Sequence, residues 1–159
     1  MSYPPPIYHG ESGEASAHVV RGDVAPAVVY PNGNQVFYLA QGSETTGTFG
    51  LYRWRFAGPE SGPGPHFHRT ITESFYVLDG TVTIYDGTEW VKVHAGDFAH
   101  VPAGGVHGFR NEDGAAEMLL HFAPGAPREA YFEQLAAGIG DFDQDDYDRF
   151  MREHDNTWV

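Results

Sequence analysis

The 159-residue chain has no cysteine, which removes disulfides, thiolate nucleophiles and sulfur-ligated zinc or iron–sulfur sites together. Any transition metal must then rest on histidine and carboxylate. Basic residues are scarce: 9 Lys and Arg stand against 22 Asp and Glu, a net charge of −13 that repels phosphate backbones and anionic membrane surfaces. Neither nucleic acid nor a membrane is expected as a partner. No apolar run approaches the roughly 20 residues of a membrane span. The stretch MSYPPPIYHGESGE has neither the basic region nor the apolar core of an export signal. The expected location is the cytoplasm. Repeats and low-complexity tracts are missing too, which argues against a solenoid or a disordered chain.

Turn chemistry and aromatics are abundant, with 20 glycines, 11 prolines and 14% Phe, Trp and Tyr. Residues 1–18 carry no apolar period and read as an arm. Short β-like runs follow: AVVY (27–30), QVFYLA (35–40), TFGLYRWRF (48–56), ESFYVLDG (73–80), TVTIYD (81–86), EWVKV (89–93), DFAHV (97–101), VHGFRN (106–111) and EMLLHF (117–122). Turn signals separate them, among them Asn32-Gly33, Asp79-Gly80, Asp86-Gly87, Ala95-Gly96, Pro102 to Gly105 and Asp113-Gly114. Many short strands with tight turns predict an all-β barrel or two-sheet sandwich over 19–124. Residues 125–159 then change character. PREAYFEQLAAG (127–138) opens on proline and closes on glycine, and DFDQDDYDRFMREHD (141–155) starts acidic and carries Tyr147, Phe150 and Met151 as an apolar stripe. One or two helices are expected there, packed on the barrel wall or forming a lid over its mouth.

The chemistry centres on HFHRTITE, residues 66–73. In extended chain His66 and His68 project to one side, separated by about 7 Å of backbone. Glu73 lies beyond a short bend and shares a strand face with Phe75 and Val77. Imidazole suits zinc, copper, iron and nickel, and the carboxylate extends the choice to manganese. Taken alone, the stretch fits a polar loop as well as a metal site. A second segment, GDFAHVPAGGVHGFRN (96–111), reverses at its glycine pair and enters a strand whose first residues include His107, in position to supply a fourth ligand.

Together the two segments resemble the paired motifs of the cupin superfamily. The first, H-x-H-x4-E-x6-G, is matched by His66, His68, Glu73 and Gly80; the second, G-x5-P-x-G-x2-H-x3-N, by Gly96, Pro102, Gly104, His107 and Asn111. Residues 81–95 separate them, as in compact microbial cupins. The family often places glycine six residues before the first histidine, where this chain has Glu60 among Gly58, Gly62 and Gly64. The resemblance implies a double-stranded β-helix (jelly-roll) barrel holding one divalent ion, whether iron, nickel, manganese, copper or zinc, on His66, His68, Glu73 and His107. Open coordination positions would admit water, substrate or dioxygen.

Other residues divide by strand phase. Tyr52, Trp54 and Phe56 alternate with Arg53 and Arg55, so the aromatic side faces either a plain core or a pocket wall. Tyr52, Trp54, Phe75, Phe109 and His121 are the candidate substrate-binding residues, although His121 faces inward or outward depending on a phase the sequence leaves open. His94 and His100 are expected at the surface, and His9, His18 and His154 carry no argument. A weaker similarity, carried by the barrel followed by APGAPREAYFEQL (123–135), links the chain to quercetin 2,3-dioxygenase-like cupins. It implies a dioxygenase acting on an aromatic or enolisable organic substrate, with Glu73 as ligand or as general base on a substrate hydroxyl. The alternatives are a redox-neutral isomerase, cyclase or lyase, and a small-molecule-binding protein without turnover. Residues 1–30 are suited to pair with a second subunit, so a homodimer is expected.

Overall fold

The computed structural model describes residues 2–112 and 114–159. Strand β1 (Val28–Val29) forms a hairpin with β2 (Gln35–Ala40), and β3 (Gly50–Phe56) pairs back on β2. After β4 (His66–Phe67) come β5 (Thr72–Asp79), β6 (Thr81–Tyr85), β7 (Trp90–His94), β8 (Phe98–Val101), β9 (Gly108–Arg110) and β10 (Ala116–Ala123). Two helices, α1 (Arg128–Ala137) and α2 (Gln144–Glu153), precede the last strand, β11 (Thr157–Trp158). The expected turn at Asp113-Gly114 includes a residue outside those described.

The strands form two layers. One sheet runs in the order β1-β2-β3-β10-β5-β8, so β10 returns from late in the chain to lie between two early strands. The other runs β7-β6-β9, and an antiparallel bridge between His66 and His107 brings the β4-β11 pair alongside it. This is the double-stranded β-helix, in which each layer contributes its inward face to one core.

Strand phase decides what enters that core. Along β3, Tyr52, Trp54 and Phe56 are buried, while Arg53 and Arg55 point outward, pair with Glu117 and lie over the Phe37 ring. Along β10, Met118, Leu120 and Phe122 face inward. The aromatics meet mostly edge to face, as Tyr52 does with Phe122 and Phe132, an arrangement that adds about 0.5–1.5 kcal/mol per pair beyond area burial.

Helix α1 is tied down by three tyrosine hydroxyls. Tyr30 donates to the Phe132 carbonyl at 3.2 Å, Tyr38 to Glu133 at 3.1 Å, and Tyr52 to the Glu129 carboxylate. Burial, reinforced for Tyr38 and Tyr52 by these carboxylates, drives all three phenols well above their ordinary pKa, so they remain donors at neutral pH. Helix α2 is capped by Asp143, whose carboxylate accepts from the Asp146 N–H at 2.8 Å, and it buries Phe150 and Met151. Both helices join the barrel core, and α1 also walls the cavity next to the site, so for that helix packing and covering are one role.

Candidate metal centre

His66 and His107 are cross-strand partners: the backbone N–H of each donates to the carbonyl of the other at 2.8 Å. This register is how a histidine some forty residues on joins the first motif. His68 follows two residues after His66 on the same side, and its carbonyl is held by the Gly104 N–H at 2.7 Å. The bend that returns Glu73 is clamped by Asp155, whose carboxylate accepts from the Arg69 and Thr70 N–H groups, both at 2.8 Å, and from the Thr70 hydroxyl at 2.7 Å. Burial raises the Asp155 carboxyl, but these donors outweigh it and hold its pKa below the usual range.

The result is a compact set: one ligand-capable atom from each of His66, His68, Glu73 and His107 lies within 4.8 Å of the others, and all four residues are buried. Each imidazole gives its Nδ1 to a backbone carbonyl: His66 to Gly64 at 2.9 Å, His68 to Asp155 at 2.7 Å and His107 to Gly105 at 3.0 Å. A proton placed on Nδ1 by those carbonyls leaves Nε2 as a lone pair. Yet Nε2 of His107 and Nε2 of His68 stand 2.8 and 3.1 Å from the same Glu73 oxygen. Without an ion, a proton on the His107 Nε2 must hold the carboxylate there; a divalent ion takes that proton's place and accepts the lone pairs of all three rings, so the donor set fits such an ion. Burial, with His107 nearby, lowers the His66 pKa to about 4 and keeps its ring neutral. For Glu73 burial alone would raise the pKa, but contacts with His107 and His68 pull it far below the ordinary value; His107, lowered by burial, is raised overall by the same carboxylate.

The motif's other positions also find physical reasons. Asn111 is fully buried, accepts from the Ser61 N–H at 3.0 Å and donates to the carbonyls of Gly58, Pro59 and Gly114, pinning the loop that leads into β4. At Glu60, where the family often has glycine, the side chain is exposed and faces Arg110. The tight passage falls instead to Gly62, at φ +144°, where a Cβ would meet the Phe109 carbonyl oxygen at 1.9 Å.

His66 and Glu73 open onto a cavity of about 70 Å³ between the barrel and the helices. Its wall is largely apolar and aromatic, with Trp54, Phe109, Phe122, Tyr131 and Phe132, and it also includes Arg128 and Asn156. Trp54 and Phe109 therefore lie where a substrate-binding role requires. Three candidates do not. Tyr52 lies on the correct face but beneath α1, with its hydroxyl committed to Glu129, and Phe75 packs against His107 and Phe109 without reaching the cavity. His121 is on the outer face, because β10 alternates and Leu120 and Phe122 hold the inner positions; its ring stacks on Phe49, 5.6 Å away. Sequence reasoning missed Arg128, Asp155, Asn156 and Trp158, whose ring lies 5.3 Å from His66. One signal was available: Arg128 opens α1, where the helix dipole disfavours a cation.

Residues 52–123 match the cupin domain family. Over 76 residues the chain is 34% identical to the quercetin 2,3-dioxygenase of Bacillus subtilis (strain 168), a match covering 48% of this chain and 21% of that protein. The chain thus spans only a fifth to a half of the curated relatives it matches. Among solved structures, KdgF from Halomonas sp. has a TM-score of 0.62 at 17% identity, covering 72% of this chain and 99% of its own. An RmlC-like cupin from Shewanella frigidimarina NCIMB 400 has a TM-score of 0.57 at 20% identity, covering 73% and 96%. At these identities the structural likeness speaks to fold, and it agrees with the paired motifs and with the match of residues 52–123 to the cupin domain family.

Proposed function

We propose that this cupin is a metal-dependent dioxygenase acting on a small aromatic or enolisable organic substrate. The observation that carries the reading is the buried three-histidine, one-carboxylate set opening onto a small, aromatic-walled cavity. The identity shared with a quercetin 2,3-dioxygenase supports the choice of dioxygen as co-substrate. When bound, a redox-active divalent ion would supply Lewis acidity and an electron route between substrate and dioxygen.

The chain's own residues divide the remaining work. His66, His68 and His107 would hold the ion, with Nε2 left free for it because each ring's Nδ1 is fixed by a backbone carbonyl. Glu73 lines the cavity as well as the ligand cluster, so it is the carboxylate in reach of a substrate hydroxyl; released from His68 and His107, which hold its basicity down, it takes that proton as the enolate forms. Trp54 and Phe109 present flat apolar surface to the substrate, and α1, with Asn156 beyond the second helix, keeps bulk water from the site. The volume suits a small molecule; a flavonol would require the helical cover to shift.

The test is elemental analysis of untagged protein followed by oxygen-electrode measurements with β-diketones, catechols and flavonols. One transition-metal ion per chain and substrate-dependent oxygen uptake are expected. Product formed without oxygen consumption would establish a redox-neutral isomerase, cyclase or lyase instead, and tight binding with no product a non-catalytic cupin. A cytoplasmic setting belongs to the same proposal; among the described residues, no helix is long and apolar enough to cross a membrane.

A further inference from the structure

Glu73 and Arg128 are the two buried side chains of fixed charge among the described residues. Arg128 is 5% exposed and lies among the rings of Tyr131, Phe122 and Phe132 at 4.3, 5.1 and 5.8 Å. Its Nη1 donates to the His154 carbonyl at 2.7 Å and its Nη2 reaches the Asn156 side-chain oxygen at 3.5 Å. Both partners are neutral, and Nε has none. A buried guanidinium without a carboxylate is costly, by several kcal/mol before relaxation, so proteins rarely leave one unpaired.

Two neighbours share this condition. Asn156 Nδ2 and Trp54 Nε1 are buried and unpartnered, and both residues line the same cavity as Arg128, His66 and Glu73. Every orphaned polar atom on the residues of this cavity wall is a donor. Charge points the same way: a divalent ion on three neutral imidazoles and one carboxylate retains one positive charge, and Arg128 adds another. A ligand that brings negative charge and several acceptors satisfies both deficits, whereas a neutral apolar ligand satisfies neither.

We propose that the cavity selects a small organic acid, whose carboxylate is taken by the donors of Arg128, Asn156 and Trp54 while the rest of the molecule faces the ligand cluster. This deepens the function proposed above and rests on it for the ion, but it concerns binding and is read without turnover. Arg128 is then a specificity determinant in a helix outside the matched cupin region.

The test is calorimetry on metal-loaded protein with three acids, acetate, pyruvate and benzoate, each against its neutral amide. At least one acid is expected to bind ten-fold or more tightly than its amide, and that preference should fall to within about two-fold in Arg128→Gln, with metal content unchanged by elemental analysis. Trp54→Phe, which removes one donor, should weaken the acid several-fold more than its amide; it also serves if Arg128→Gln does not fold. Three acids binding no better than their amides would overturn the proposal. So would a preference that survives in Arg128→Gln, since an arginine that only ties α1 to His154 would lower thermal stability without changing the acid-to-amide ratio. Acid selection without any oxygen uptake would leave this inference standing and sink the dioxygenase reading alone.

Discussion

The backbone carbonyl of Asp155 accepts the Nδ1–H of His68 at 2.7 Å, across 87 positions of sequence. The same residue's carboxylate gathers the Arg69 and Thr70 donors, so Asp155 fixes both a candidate ligand and the bend that brings Glu73 back to it.

Asp155→Asn isolates the carboxylate's share. Asp155 has φ +56°, a conformation that asparagine tolerates, so backbone strain is not introduced. The variant should lose about 1–2 kcal/mol near neutral pH, the worth of trading charged hydrogen bonds for neutral ones. Because the folded pKa is depressed, this contribution is present above the unfolded carboxyl's pKa of about 3.9 and is lost as pH falls through the lower folded value. Urea denaturation at several pH values should show the two proteins converging in acid; a gap unchanged down to about pH 3 would contradict the assignment.

His107→Ala and His121→Ala form a matched pair. The first removes an inward ligand and should abolish stoichiometric metal; the second removes an outer-face ring and should leave metal content unchanged. Elemental analysis of both decides the point, and equal metal in the two variants would refute the four-ligand site.

Gly80→Ala tests a motif position without chemistry of its own. Gly80 has φ +73°, and an added Cβ would meet the Ala115 carbonyl oxygen at 2.6 Å. Strain and backbone displacement together should cost about 2–4 kcal/mol. A chemical denaturation midpoint within error of wild type would show that the turn relaxes freely.

A homodimer remains our proposal. Residues 2–18 are exposed, and Phe98 and Tyr76 are 64% and 42% exposed on the outer face that also carries His121. Sedimentation at micromolar concentration should report twice the chain mass; a monomer would remove the idea.

Much of this was legible in one sequence. Alternation in GLYRWRF fixed which side of β3 is core, and the glycine-punctuated motifs pointed to the cluster of His66, His68, Glu73 and His107. Two things were not legible. Strand β11 and its partner β4 have two residues each, too few for a period to register, so the cover beside His66 was invisible. His121 was ambiguous for a related reason: EMLLHF contains two adjacent leucines, and alternation alone does not reveal which is inward until β10 is set in register between β3 and β5.

The distance in sequence between His68 and Asp155 also sets an order of events. During synthesis the strands through β10 emerge first, and His66, His68, Glu73 and His107 are all available to meet an ion before either helix exists. What that early assembly lacks is the acceptor behind His68, the clamp on its bend and the roof that carries Arg128. Metal capture and the substrate discrimination proposed above would therefore be separable in time: the barrel would supply the first, and the second would arrive only when residues 128–158 fold back over it.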